Sequence, residues 1–523
     1  MALADSLTAP RPASQGSGSV KPSASHLSPR PLAPRALVST AVLGFVATLS
    51  IVIGALLGGS SFETYLPGAW FFGMPGGLLG SIGSSAAHPP IYADIAVYGG
   101  LILLIRVWLG ILRQVSARPG APVTRVVLVV VVWAVPLLLA PPLFSRDVYS
   151  YAGQGEMVSH HIDPYLYGTG VLGSTPFSSM PDSVWTDSPS PYGPTFLSID
   201  GVLNTASGHK ILPDIVLLRL LEVAGLALIV GATPALARRL GRDPAEAILL
   251  GAGCPLVLTT FIGGAHNDAL MLGLLMAGLA VAQRWGTVPG VILCAAAAGV
   301  KSPAALGVVF LGWAWAGPAA SIRRRLMHLL AAGLIALCTL EVISAVSGTG
   351  WGWLHTSTAA DKSFTFVTPV GAVSRAVSGA ARIVDLHISV LGARTVFSLV
   401  GLIGAAVIGL RLLVGSTEST IPRNLGLTLL VVALLGPILW GWYLTWGVIV
   451  LAPTATGALR RIVIAISTVE VLIAASSVKN LLAGVIGAGI FPGLTLVAAI
   501  LAIAIVPLGL FGRTGAPSHP QIT

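Results

Sequence analysis

Charge is scarce in this sequence: 9% of its 523 residues are Asp, Glu, Lys or Arg, against 54% that are hydrophobic. Soluble domains carry about a quarter charged residues, so a chain whose main solvent is water is excluded. Cysteine is scarce too. Cys254, Cys294 and Cys338 fall inside apolar runs without CxxC spacing or neighbouring histidines, which argues against a disulfide or a cysteine metal site. A DxD motif is missing, and so is a Walker A loop, because Gly299-Val300-Lys301-Ser302 lacks the GK[ST] ending. The net charge of +10 resides largely in arginines spread between apolar runs rather than gathered on one soluble face, so nucleic acid is not an expected partner.

Apolar runs long enough to cross a hydrocarbon core of about 30 Å are plentiful. They lack the short alternating segments of a barrel, so the backbone must satisfy itself in helices. The expected fold class is an all-α polytopic membrane protein of about 13–14 transmembrane helices. These fall near 36–58, 92–114, 124–143, 212–237, 246–263, 267–283, 288–300, 303–316, 326–346, 391–414, 425–442, 446–458, 462–478 and 485–511. Residues 1–35, rich in Pro, Ser and Ala, are expected to form a disordered cytoplasmic tail. Residues 36–511 form the membrane domain and 512–523 a second cytoplasmic tail.

With the N-terminus cytoplasmic, every inner loop carries arginine, among them Arg113, Arg118, Arg238, Arg239, Arg323, Arg324, Arg325, Arg460 and Arg461. That is the charge asymmetry the positive-inside rule requires. Most acids, including Asp147, Glu156, Asp163, Asp182, Asp187, Asp268 and Asp361, then fall outside. Two long outer segments, about 144–211 and 347–390, follow the first outer loop. Polar chemistry is therefore expected at an extracytoplasmic face of the inner membrane.

Four constellations carry candidate chemistry. Ser145-Arg146-Asp147-Val148-Tyr149-Ser150-Tyr151 places a carboxylate and a guanidinium at the lipid–water boundary. Partial desolvation there raises a carboxylate's basicity and suits it to accept a proton; an Arg146–Asp147 surface pair is the plainer reading. Downstream, Asp163, Tyr165, Trp185, Asp187 and Tyr192 combine ring faces with acceptors, as sugar binding requires. His160 and His161 are adjacent, a poor geometry for one metal, so no metal site is expected. Next, Gly263-Gly264-Ala265-His266-Asn267-Asp268 joins two helices, with polar groups at a helix N-terminus that favours an anion; an ordinary capped turn explains it as well. Third, Lys301 and Arg219 are ionisable groups at membrane depth and need a partner or a polar cavity, with Glu222 one turn from Arg219. Finally, Trp440-Gly441-Trp442-Tyr443-Leu444-Thr445-Trp446 reads as an interfacial aromatic belt or a sugar or prenyl contact.

Taken together, SRDVYSY at 145–151, DPY at 163–165, SPYGP at 190–194, GGAHNDALMLGLL at 263–275, VKSPA at 300–304, FVTPVGA at 366–372 and WYLTW at 442–446 resemble the actinobacterial polyprenol-phosphate-mannose-dependent α-1,6-mannosyltransferases of lipomannan assembly, in the same order. The resemblance implies the C-type glycosyltransferase fold and an inverting transfer from a β-linked donor, with no nucleotide and no tightly bound metal. It puts Asp147 at the position of the general base. Together with the residue chemistry above, the candidate substrate contacts are Arg146, Tyr149, Tyr151, Asp163, Tyr165, Tyr192, Arg219, His266, Asn267, Asp268, Lys301, Arg375, Trp442, Tyr443 and Trp446. The expected partners are polyprenyl-phosphate-mannose and a mannan or phosphatidylinositol-mannoside acceptor. The family's turn often reads HNE where this chain has HND at 266–268. The competing readings are a transporter or flippase of lipid-linked sugars, whose inverted repeats and midplane sites are not evident here, and a related transferase using another lipid-linked sugar such as arabinose or glucose.

Overall fold

The computed structural model describes residues 34–62, 69–70, 74–75, 91–356, 368–383 and 385–474. Most of the expected N-terminal tail, the last span, the C-terminal tail and Phe366-Val367 lie outside them. Helices dominate: α1 (Pro34–Gly58), α2 (Ile91–Ala117), α3 (Val123–Leu139), α4 (Asp147–Ser159), α5 (Pro194–Ala206), α6 (Ile211–Arg239), α7 (Pro244–Leu250), α8 (Pro255–Gly263), α9 (Asp268–Trp285), α10 (Thr287–Ala298), α11 (Ala305–Trp315), α12 (Ile322–Ser347), α13 (Pro369–Ile383), α14 (Val390–Val414), α15 (Ile421–Leu435), α16 (Leu444–Leu451) and α17 (Gly457–Ala474). The only strand pairing among the described residues is a two-residue antiparallel ladder, Ala69–Trp70 with Met74–Pro75. The chain is an all-α polytopic membrane protein.

Five described helices, α1, α2, α6, α12 and α14, are long and apolar enough to cross a membrane. Three expected spans differ from the sequence reading, the one at 446–458 ending as an α-helix at Leu451. The run at 246–263 breaks into α7 and α8, which bend by 52°. Gly251, Gly253 and Pro255 interrupt the ladder there, and the second half is wound as a π-helix from Leu258. The run at 425–442 stops at Leu435, because Pro437 pushes the preceding backbone out of the helical region. Likewise α10 and α11 are separated by Gly299-Val300-Lys301, so irregular backbone interrupts two apolar stretches. Such breaks are tolerated in a membrane only where protein or a polar cavity surrounds them.

Glycines bring α6 and α9 into close backbone contact. A Cβ on Gly225 would lie 2.5 Å from the Ala269 backbone, and one on Gly273 would lie 2.4 Å from the Gly225 carbonyl. Small residues therefore let the two backbones touch, as in other membrane helix pairs. The outer segment expected at 144–211 is itself helical, carrying α4, α5 and the short turns Pro176–Ser179 and Ser183–Thr186. At the arginine-bearing ends, Asp243 caps α7 through the Ala245 and Glu246 amides, and Arg460 Nε donates to Glu246 Oε1 at 2.7 Å.

Candidate active site

Arg219 organises the region. It stands within α6, is 4% exposed, and donates to the carbonyls of Leu137 (2.6 Å), Ile262 (2.7 Å) and Ala140. These carbonyls belong to the C-terminal turns of α3 and α8, where helices leave acceptors without intrahelical partners. A guanidinium there satisfies them and opposes the negative ends of both dipoles. The pairing of Arg219 with Glu222 weighed from the sequence is not formed; Glu222 Oε2 instead accepts the Leu270 amide in the first turn of α9, at 3.3 Å.

The two helix ends that Arg219 joins lead directly to Asp147 and His266. The Leu143 amide donates to the Gly263 carbonyl at 2.8 Å, tying the strands of chain that follow. Each then makes a left-handed turn on a residue other than glycine, Phe144 with φ 64° and Ala265 with φ 53°. Such residues adopt this conformation at a cost that the surrounding contacts must offset. The result brings His266 Nδ1 within 3.4 Å of Asp147 Oδ2. His266 is 2% exposed at its side chain and Asp147 is 16% exposed, so the carboxylate is the member of the pair that a ligand reaches. Asp147 is also the first residue of α4, at the positive end of that helix's dipole, and Ser145 Oγ accepts its amide.

The aromatic link before α16 forms the wall. Trp442 stacks on the His266 ring with centroids 3.8 Å apart, and Trp440 stacks on Trp442 at 5.1 Å. Tyr443 and Trp446 stack on each other at 4.3 Å and turn the other way, towards Lys301. Lys301 Nζ lies 4.7 Å from the Tyr443 ring centroid, 5.7 Å from Trp446 and 5.9 Å from Tyr192. It also donates to both oxygens of Asp268, at 2.9 and 3.1 Å, and Trp446 Nε1 donates to the same carboxylate at 2.5 Å. Lys301 thus has the acid that its own neighbourhood in sequence does not supply. Asp268 is wholly buried whereas Lys301 is 13% exposed, so the cation is the more accessible member of the pair.

Tyr192 is held beside Lys301 by contact between backbones. The Gly193 amide donates to the Val300 carbonyl at 3.4 Å and the Phe196 amide to the Gly299 carbonyl at 3.2 Å. A side chain on Gly193 has no room, since its Cβ would meet the Gly299 oxygen at 2.5 Å. Tyr151, Tyr192 and Phe196 form an edge-to-face cluster at 5.1–5.3 Å. Burial pushes the Tyr151 and Tyr192 phenols well above their usual range, with Asp147 adding to the effect at both, so both stay neutral. The Tyr165 hydroxyl donates to the Tyr192 carbonyl at 3.0 Å, and Asp163 Oδ1 accepts the Tyr165 amide. Burial likewise pushes the Asp200 carboxyl on α5 up, reinforced by Asp214 and Glu222, beside a close contact with Gly155 of α4.

Of the expected site residues, Asp147, His266, Asp268, Lys301, Tyr192, Trp442, Tyr443 and Trp446 converge. Arg146 immediately precedes Asp147, and Asn267, fully buried, is the N-cap of α9. Tyr149 and Tyr151 are core residues, 0% and 1% exposed, and Asp163 holds a turn through its Oδ1. Arg375 stands on α13, which packs against α14 and α15. Trp440 and Gln154, which accepts a hydrogen bond from Ser190 at 2.8 Å, were not singled out as site residues. For Trp440 the sequence signal was its place in the ring-rich link; for Gln154 there was none.

Lys301→Gln and Asp268→Asn each strand one member of the pair, and each is expected to lower stability by about 2 kcal/mol, the range for a hydrogen bond to a charged group. The double variant should recover part of this loss in thermal unfolding while activity stays low. Additive losses would show that the two groups do not act as a pair.

A profile of the "Alpha-(1->6)-mannopyranosyltransferase, N-terminal domain" matches residues 41–317, and one of the "MptB C-terminal domain" matches residues 367–508. Alpha-(1->6)-mannopyranosyltransferase A of Mycobacterium tuberculosis is 33% identical over 444 residues, covering 81% of each chain. Alpha-(1->6)-mannopyranosyltransferases A and B of Corynebacterium glutamicum are 30% and 29% identical, over 53% and 64% of this chain and 62% and 60% of their own. The residues that build the site lie within the matched regions, and on these grounds the chain belongs to the α-(1→6)-mannopyranosyltransferase family.

Proposed function

We propose that the protein transfers mannose from polyprenyl-phosphate-mannose to the 6-hydroxyl of a growing α-1,6-mannan, a lipomannan core, at the outer face of the plasma membrane. The observation that carries this reading is the Asp147–His266 contact, an accessible carboxylate steadied by a buried imidazole beneath stacked tryptophans. The acceptor oxygen attacks C1 of the donor from the face opposite the phosphate. The C1–O bond to phosphate breaks, its electron pair leaves with polyprenyl phosphate, and the hydroxyl proton passes to Asp147. Attack from the opposite face turns a β-linked donor into an α-linked product.

His266 Nδ1–H holds the carboxylate in place, and the 3.4 Å separation closes to a hydrogen bond with a small rotation once substrate is bound. Trp440, the outer ring of the stack, offers a flat face to sugar C–H groups, while Trp442 is sandwiched between it and His266. Lys301, set among rings and more accessible than its partner Asp268, stabilises charge as it develops on the departing phosphate. Arg219 acts through the helix ends it joins rather than on the phosphate. No bound cofactor is invoked in the chemistry.

The test uses purified protein in lipid nanodiscs, radiolabelled polyprenyl-phosphate-mannose and a short α-1,6-mannoside. The expected product is one mannose longer and is cleaved by an α-1,6-specific mannosidase, with release of one polyprenyl phosphate per transfer. Movement of intact donor between leaflets without transfer would instead establish a flippase.

A further inference from the structure

At the end of α4 remote from Asp147, a second group of side chains converges. Glu156 lies in the last turn of α4 and His160, four residues on, is its C-cap; His209 comes from the link between α5 and α6. Glu156 Oε1 is 3.1 Å from His160 Nε2 and Glu156 Oε2 is 3.0 Å from His209 Nδ1. The three ligand atoms all lie within 4.8 Å of one another. By helix rise, Glu156 is about 14 Å along α4 from Asp147, so this cluster is separate from the catalytic pair.

The backbone beneath is built to hold these positions. His209 has φ 57°, a left-handed conformation that only a surrounding structure maintains on a residue other than glycine. Its amide donates to the Asn204 carbonyl at 3.3 Å. Asn204 is wholly buried; its Oδ1 accepts Ser159 Oγ at 2.9 Å and its Nδ2 donates to Asp214 Oδ2 at 2.9 Å. One asparagine thus joins the end of α4, the end of α5 and the start of α6 directly behind the cluster. The imidazoles themselves are half-exposed, 53% and 39% at their side chains. Exposed charge pairs contribute little to stability, so ion pairing alone gives no reason for two rings to face one carboxylate from a strained link.

We propose that Glu156, His160 and His209 bind one divalent transition-metal ion of the zinc class. Two imidazole nitrogens and a carboxylate oxygen are the donor set such ions take, at about 2.0–2.2 Å, and water completes the coordination. Each imidazole approaches a different oxygen of Glu156, at 3.1 and 3.0 Å, and side-chain rotation from the present spread of up to 4.8 Å brings the three donors around one ion. The bound ion clips the end of α4 to the α5–α6 link and so steadies the helix whose first residue is Asp147. His160 and His161 do not share the ion. His161 has φ 59° and lines an apolar groove between α4, α5 and α12, and the third ligand comes from His209.

The test uses tag-free protein in detergent, stripped with a chelator, dialysed and titrated with Zn²⁺, with metal content measured by mass spectrometry and unfolding followed thermally. The expected result is one ion per chain and a rise in unfolding temperature on addition. His160→Ala and His209→Ala weaken binding by roughly tenfold or more and lose the thermal response, while His161→Ala keeps both. The stripped variants should unfold with the stripped parent, which separates loss of metal from loss of fold. If His209→Ala does not fold, Glu156→Gln and His160→Ala are read in its place. Substoichiometric metal in the parent, or full binding by the ligand variants, overturns the site, leaving only imidazole–carboxylate contacts.

Discussion

Asp147→Asn should lower mannosyl transfer by about 10²–10⁴-fold, the range for removing a positioned general base. Asparagine keeps the size and the helix-start position of Asp147 but cannot take the acceptor's proton. Its amide still faces His266, and the Ser145 hydroxyl still accepts the backbone amide. Thermal unfolding is therefore expected to change little, and donor lipid should still bind. The loss should appear in kcat, with KM for the donor close to that of the parent, because the proton moves only as the new bond forms. Turnover within about tenfold of the parent would remove Asp147 as the base, since so small a loss lies below the general-base range. His266→Gln provides the companion measurement. It should reduce kcat less than Asp147→Asn, as the carboxylate remains but loses the ring and the Trp442 stack that hold it.

Arg219→Ala should destabilise the fold and disable the enzyme together. Three carbonyls at the ends of α3 and α8 lose their donor in a place that water does not reach. Each buried acceptor left unsatisfied costs about 1–3 kcal/mol, so the low end of the sum is about 3 kcal/mol. Arg219→Lys separates position from stability. An ammonium keeps the charge opposite both helix ends but lacks the planar fork that spans them. That variant should fold, lose kcat through a loosened Asp147–His266 contact, and keep KM for the donor. A raised KM with an unchanged kcat would instead make Arg219 a ligand of the donor phosphate. Normal stability and normal turnover in Arg219→Ala would refute its role as the tie between the two strands of chain.

Much of the architecture was legible in the sequence because apolar run length and arginine placement are local properties. The edges of α1, α2, α6, α12 and α14 fall within a few residues of the apolar runs that foretold them. The break between α7 and α8 was not legible. Its glycines and proline sit inside a run whose composition alone reads as one span. Similarly, the SRD, HND and ring-rich motifs could be found by residue type, yet the sequence offered each a plain reading of its own, as a surface pair, a capped turn or a belt. What separates these readings is which motif touches which.

Sequence alone determined that the chain crosses a membrane, that its acids gather between particular apolar runs, and where a carboxylate, a histidine turn and a lysine stand along it. Tertiary structure decided that Lys301 pairs with Asp268, 33 residues away, that Trp446 reaches the same carboxylate across 178 residues, and that Arg219 serves two helix ends instead of Glu222. The reason is physical: hydropathy is summed along the chain, but a buried polar group takes its partner from whatever packing brings within about 3 Å. Only the folded arrangement of α3, α6, α8, α9, α16 and the break between α10 and α11 sets that list.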